Sequence, residues 1–202
     1  MPNWCYTMYV AEGPKTQLQK LYDTMNAITA IPFPGIIEND FGSSWLGNLV
    51  MVLGLDPRNH SDFRCRGSFE DVTIDPDDGR LRFYTSTAWC EADDTRHLIE
   101  EKFPGVHLYF MSEEFGCGYW ETNDTEGKYF RDRFYFQPED YLDDDNYYEY
   151  YETFEELLDA IEEATGLTGL TTFEECEKAL ENYRDGDYSY SLYRIKFENE
   201  DK

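Results

Sequence analysis

The alternation of strand-like and helix-like segments between Trp4 and Met111 leaves this chain few ways to fold. Trp4 to Val10 reads as a strand. Lys15 to Ala30 reads as a helix, because Leu18, Leu21, Tyr22, Met25 and Ile28 recur at helical spacing on one face. Cys65 to Ile74 and Arg80 to Trp89 read as a hairpin about Asp75-Pro76-Asp77-Asp78-Gly79, residues that favour a tight turn. Asp93 or Asp94 is placed to cap a helix that runs to Lys102 and stops at Pro104-Gly105. Val106 to Met111 returns as a strand, with Val106, Leu108 and Phe110 alternating against His107, Tyr109 and Met111.

The resulting order, β-α-β-β-α-β, is that of the ferredoxin-like split βαβ arrangement. The expected class is therefore α+β, with a ferredoxin-like core over residues 1–137 and an insertion at 31–57. Within the insertion the apolar run from Trp45 to Leu53 predicts a short helix after the Pro-Phe-Pro-Gly break. Gly118 to Thr122 and Tyr129 to Gln137 add strands joined by the turn Asn123-Asp124-Thr125-Glu126-Gly127. Residues 138–202 supply an acidic, Tyr-rich segment, two helices and a last strand from Tyr188 to Phe197, expected to pack on the core. Both helices open with Thr-Phe-Glu-Glu, at Thr153 and Thr172, the pattern of a capping box.

Charge restricts partners more than it restricts the fold. Forty-three acidic residues against seventeen Lys and Arg give a net charge of −26. No Lys or Arg occurs from Phe134 to Glu177, where fifteen Asp and Glu accumulate. Such a field repels nucleic acid and favours a basic protein surface. An aromatic share of 17% argues against a disordered acidic chain. The five cysteines are scattered, with no C-x-x-C pair, which suits reduced thiols in the cytoplasm rather than zinc or disulfides. No basic leader with an apolar run begins the chain, and no uninterrupted apolar stretch approaches the length of a membrane span. No residue spacing indicates a cofactor or a metal; His60, His97 and His107 fall in a loop, a helix and a strand.

The candidate binding surface lies in the acidic segment and the helix that follows it. Glu155, Glu156, Asp159, Glu162 and Glu163 share one helix face, and Phe154, Leu157, Leu158 and Ile161 share the other. The helix carries roughly one charge per 3.3 Å of axis, close to the roughly 3.4 Å per phosphate of a DNA strand. Asp143, Asp144, Asp145, Tyr147, Tyr148, Glu149, Tyr151 and Glu152 extend this surface with aromatic area typical of recognition sites.

Pro2-Asn3-Trp4-Cys5, Leu46-Gly47-Asn48-Leu49, Arg66-Gly67, Thr87-Ala88-Trp89, Phe103-Pro104-Gly105 and Glu113-Glu114-Phe115-Gly116-Cys117-Gly118 together resemble the YubB-like family. That resemblance covers roughly residues 1–137 and implies a ferredoxin-like domain of the kind found in phages, plasmids and bacterial genomes. It supplies no catalytic residues. The sequence thus favours a cytoplasmic interaction protein of mobile-element type that binds a basic surface, DNA mimicry being one form of such binding. Two alternatives stand beside it: an enzyme with a pocket between the core and the Trp45 to Leu53 segment, and a housekeeping domain whose charge only keeps it soluble.

Overall fold

Strand β1 spans Trp4–Glu12 and is paired along both edges. Its residues alternate, so that Cys5, Thr7, Tyr9 and Ala11 are all buried while Trp4 and Tyr6 are exposed. The computed structural model that shows this describes residues 3–32, 36–60, 62–139, 149–183 and 189–198. The fold is α+β, with five α-helices among the described residues, and the chain divides into two units between Thr125 and Glu126.

In the first unit β2 (Gly67–Ile74), β3 (Leu81–Ala88), β4 (His107–Glu114) and β5 (Tyr119–Thr122) join β1 in the order β2-β3-β1-β4-β5, each neighbouring pair antiparallel. Helix α1 (Lys15–Thr29) buries Leu18, Leu21, Met25 and Ile28, the stripe its periodicity requires. The inserted run forms α2 (Leu46–Val52), buried from Leu46 to Val50. A buried polar side chain must find partners, and Asn48 does so: its amide donates to the carbonyls of Gly42 and Ser43 at 3.2 and 3.0 Å and accepts from Ile37 N at 3.1 Å. The insertion is further tied to the β2 edge by Phe69 N donating to Ser44 O at 3.0 Å.

The β2–β3 turn is closed by Asp75, whose Oδ1 accepts from Asp77 N at 2.8 Å, and by Asp78, which pairs with Arg80 and Arg82 at 2.9 and 2.6 Å. Gly67 lies so close to β3 that a Cβ there would collide with the carbonyl oxygen of Ser86. Helix α3 (Asp93–Lys102) begins at Ala92 without a side-chain cap, which corrects the expectation for Asp93 and Asp94. Those carboxylates are used elsewhere. Asp94 accepts from Arg64 N at 2.9 Å and Asp93 meets the Arg64 guanidinium at 3.3 Å.

In the second unit β6 (Phe134–Glu139) pairs antiparallel with β7 (Tyr150–Tyr151) and β8 (Ser189–Arg194). Those pairings place residues 134–137 with the later segment, although the sequence pattern attaches them to the preceding strands. Helices α4 (Phe154–Thr165) and α5 (Phe173–Asn182) bury Leu157, Ile161, Cys176 and Leu180 with Phe136, a separate core of this unit. Phe154 and Leu158, only partly buried, pack against it. Thr153 and Glu156 form the full capping box at the start of α4. At α5 Thr172 caps Glu175 N at 3.2 Å, but Glu175 reaches back to the amide and hydroxyl of Thr171 at 2.8 Å. Gly166 ends α4 at φ 72°, a left-handed conformation that glycine adopts without strain.

Because Leu157 is fully buried in this small core, Leu157→Ala should destabilise the fold by about 2–5 kcal/mol. Urea unfolding should show this as a lowered midpoint with an unchanged slope. A shift within about 0.5 kcal/mol, the range of neutral surface changes, would mean that α4 is not packed as described.

Candidate functional site

The helix face chosen from the sequence is solvent-facing. Glu155, Glu156, Asp159, Glu162 and Glu163 are all exposed on α4. Glu149, Glu156, Asp159 and Glu163 line an open groove of about 520 Å³ together with Phe136, Tyr151, Ala160 and Ala164. Glu155 and Glu162 lie on the same helix outside that lining. Tyr151 Oη donates to Glu149 Oε2 at 2.5 Å, and burial followed by this carboxylate pushes its phenol pKa upward. Glu152 stands 4.0 Å from the Arg131 guanidinium. Glu156 has a second task, accepting from the amides of Glu152 and Thr153 at 3.0 Å as part of the cap. Asp143, Asp144, Asp145, Tyr147 and Tyr148 lie outside the described residues. The groove thus sets carboxylates beside the Phe136 and Tyr151 rings, the two kinds of surface that the head and stem of a long basic side chain use.

A second concavity, wholly within the first unit, falls beside the insertion. It is a cleft of about 520 Å³ whose walls include Phe41, Trp45, Phe63 and Trp89 and whose cations are Arg58, Arg64 and Arg66. Trp89 is half exposed and adopts φ 75°, a conformation that bulky residues avoid at a cost of about 1–3 kcal/mol. Two backbone hydrogen bonds hold this turn: Trp89 N donates to Asn3 O and Ala88 N to Arg66 O, both at 3.0 Å. Arg58 is clamped by Asp56 through two contacts of 2.9 and 2.7 Å, and Arg64 is fixed by the first turn of α3, Thr95 Oγ1 also donating to its carbonyl at 2.9 Å. Arg66 is exposed and has no ion-pair partner among the described residues.

Glu91 also lines this cleft and is 4% exposed. It accepts from Tyr9 Oη at 2.5 Å and from Arg96 Nε at 3.2 Å, and Arg96 is itself buried, with its guanidinium 4.9 Å above the Phe110 ring. Burial pushes the Glu91 carboxyl up to about 7, against the opposing pull of Arg96 and the Tyr9 hydroxyl. A carboxyl so poised can hold or release a proton near neutrality, a property concentrated at functional sites. Glu91 did not stand out in the sequence, and Trp89 entered only through the Thr87-Ala88-Trp89 motif, without a role. The available signal was Arg58, Arg64 and Arg66 falling within one short loop of a chain poor in cations.

A carboxyl whose folded pKa is raised keeps its proton in the fold and loses it in the unfolded chain, so its contribution to stability falls as pH rises from about 4.5 to about 7. Relative to wild type, Glu91→Gln should therefore gain on the order of 3 kcal/mol across that window. Denaturant melts of both proteins at the two ends of the window check it; a constant difference would show that Glu91 titrates normally.

Among known proteins, no family model, no curated protein and no solved structure matches the chain.

Proposed function

We propose that the second unit is a cytoplasmic binding module whose α4 face engages a basic protein surface, one that elsewhere holds nucleic acid. The observation that carries this reading is the exposed row of carboxylates beside a groove with aromatic walls. Charge alone would keep a protein soluble, whereas charge next to apolar area offers both attraction and burial. The strand order β2-β3-β1-β4 with α1 and α3 as connections supports reading the first unit as a ferredoxin-like split βαβ core of the YubB-like kind. In this reading the core carries the acidic module, and the five free cysteines suit a reducing compartment.

Replacing Glu155, Glu156, Asp159, Glu162 and Glu163 by Gln should remove capture of basic proteins from a host lysate. The bound protein should leave the wild type in a salt step, because exposed charges are screened. It should also leave when duplex DNA competes for it. Equal capture by both forms, or release by salt but never by DNA, would reduce the charge to a solubility device or remove the nucleic-acid surface from the reading.

A further inference from the structure

We propose that the cleft of the first unit binds a small ligand that joins a planar ring to one anionic group, such as a nucleoside monophosphate or an aryl sulfonate. This site is built wholly from residues of the first unit and does not depend on the acidic face. A volume of about 520 Å³ lies in the range of small-molecule sites, and the lining has their usual composition, aromatic walls with a few polar groups.

The sign of the ligand follows from the charges. Arg58, Arg64 and Arg66 line the cleft and Glu91 is its one carboxylate. Glu91 is turned inward to Tyr9 and Arg96, so it offers an incoming cation little. Asp56 and Asp93 already compensate Arg58 and Arg64. Arg66 therefore remains as the guanidinium able to take an anion, and its planar fork suits phosphate, sulfonate or carboxylate oxygens.

The planar part follows from Trp89. A tryptophan held at φ 75° by two backbone hydrogen bonds, half exposed, keeps indole surface at the cleft that a relaxed backbone would place differently. Stacking on such a ring tolerates many planar partners. A polyanion is disfavoured, because the net charge of −26 acts on every phosphate of a strand, whereas a single anion meets that field once.

The test is a tryptophan-fluorescence titration of the full chain with adenosine monophosphate, phenyl phosphate and anilinonaphthalene sulfonate. Each is compared with its uncharged counterpart: adenosine, phenol and phenylnaphthylamine. At least one anion should bind saturably, and its uncharged counterpart should bind about tenfold more weakly or worse, the worth of one charge-assisted contact. Arg66→Gln, a surface change, should weaken the anion by a similar factor and leave the uncharged compound unaffected. Trp89→Gly, which the left-handed backbone accepts, should weaken both compounds, as read by calorimetry, while the melting temperature holds or rises. The proposal is overturned if no anion saturates, if charged and uncharged compounds bind alike, or if Arg66→Gln keeps full affinity.

Discussion

The hydroxyl of Tyr9 donating to Glu91 is the contact through which sheet, loop and helix of the first unit are joined. Tyr9 sits in the middle of the doubly paired β1, its ring stacked on Phe83 at 4.7 Å and tilted against Phe110 at 6.4 Å. Glu91 belongs to the loop between β3 and α3, and Arg96 to the first turns of α3. Burying a carboxyl and a guanidinium costs more desolvation than their attraction returns unless the geometry is closed by further hydrogen bonds. Here a phenol, an ion pair and a cation–π contact close it. These contacts tie the loop that bears Glu91 to β1 and α3. That fixed loop carries Trp89 and Cys90 to the cleft.

Charge is distributed unevenly between the two units. In the first, guanidiniums are largely consumed by local pairs: Arg58 with Asp56, Arg64 with Asp93, and Arg80 and Arg82 with Asp78. In the second, the carboxylates of α4 face water, and Glu152, just before the helix, stands 4.0 Å from Arg131. Exposed pairs of this kind contribute little to stability. Their effect here is to mask most guanidiniums of the first unit, whereas Arg66 at the cleft has no ion-pair partner among the described residues.

Local signals were legible in the sequence, and long-range ones were not. The helical stripe of α1, the Asp75–Gly79 turn, the inserted α2 and the Thr153 cap each depend on residues a few positions apart, and each formed as read. The α3 cap failed because Asp93 and Asp94 answer to Arg64, some thirty residues earlier. Residues 134–137 were attached to the wrong neighbours because a strand's apolar pattern states that it pairs, not with what. The apolar stripe of α4 was correct as a stripe, yet its partners are Phe136, Cys176 and Leu180 in a second core. Of the acidic candidates, Glu149, Tyr151, Glu156, Asp159 and Glu163 converge on one groove because α4 and β7 flank β6, a juxtaposition that spacing along the chain does not encode. Glu91 has no periodic partner at all; its environment is assembled from Tyr9 of β1, Arg96 of α3 and Tyr119 of β5.

The energetics of α4 itself bear on why its acids are there. Glu155 and Glu156 occupy the first turn, where the positive end of the helix dipole favours them and where Glu156 also completes the cap. Glu162 and Glu163 stand near the opposite end, which has no basic residue in its last turn, so the same dipole works against them. Glu155 with Asp159, and Asp159 with Glu163, add like-charge neighbours four residues apart. A sequence shaped for helix stability would place Lys or Arg at several of these positions. The capping box, the left-handed Gly166 terminus and the burial of Leu157 and Ile161 offset this repulsion and let the helix hold an uninterrupted acidic row. Charge carried elsewhere on the chain would already serve solubility, so the cost of keeping the row on one helix is in keeping with the binding role proposed for it.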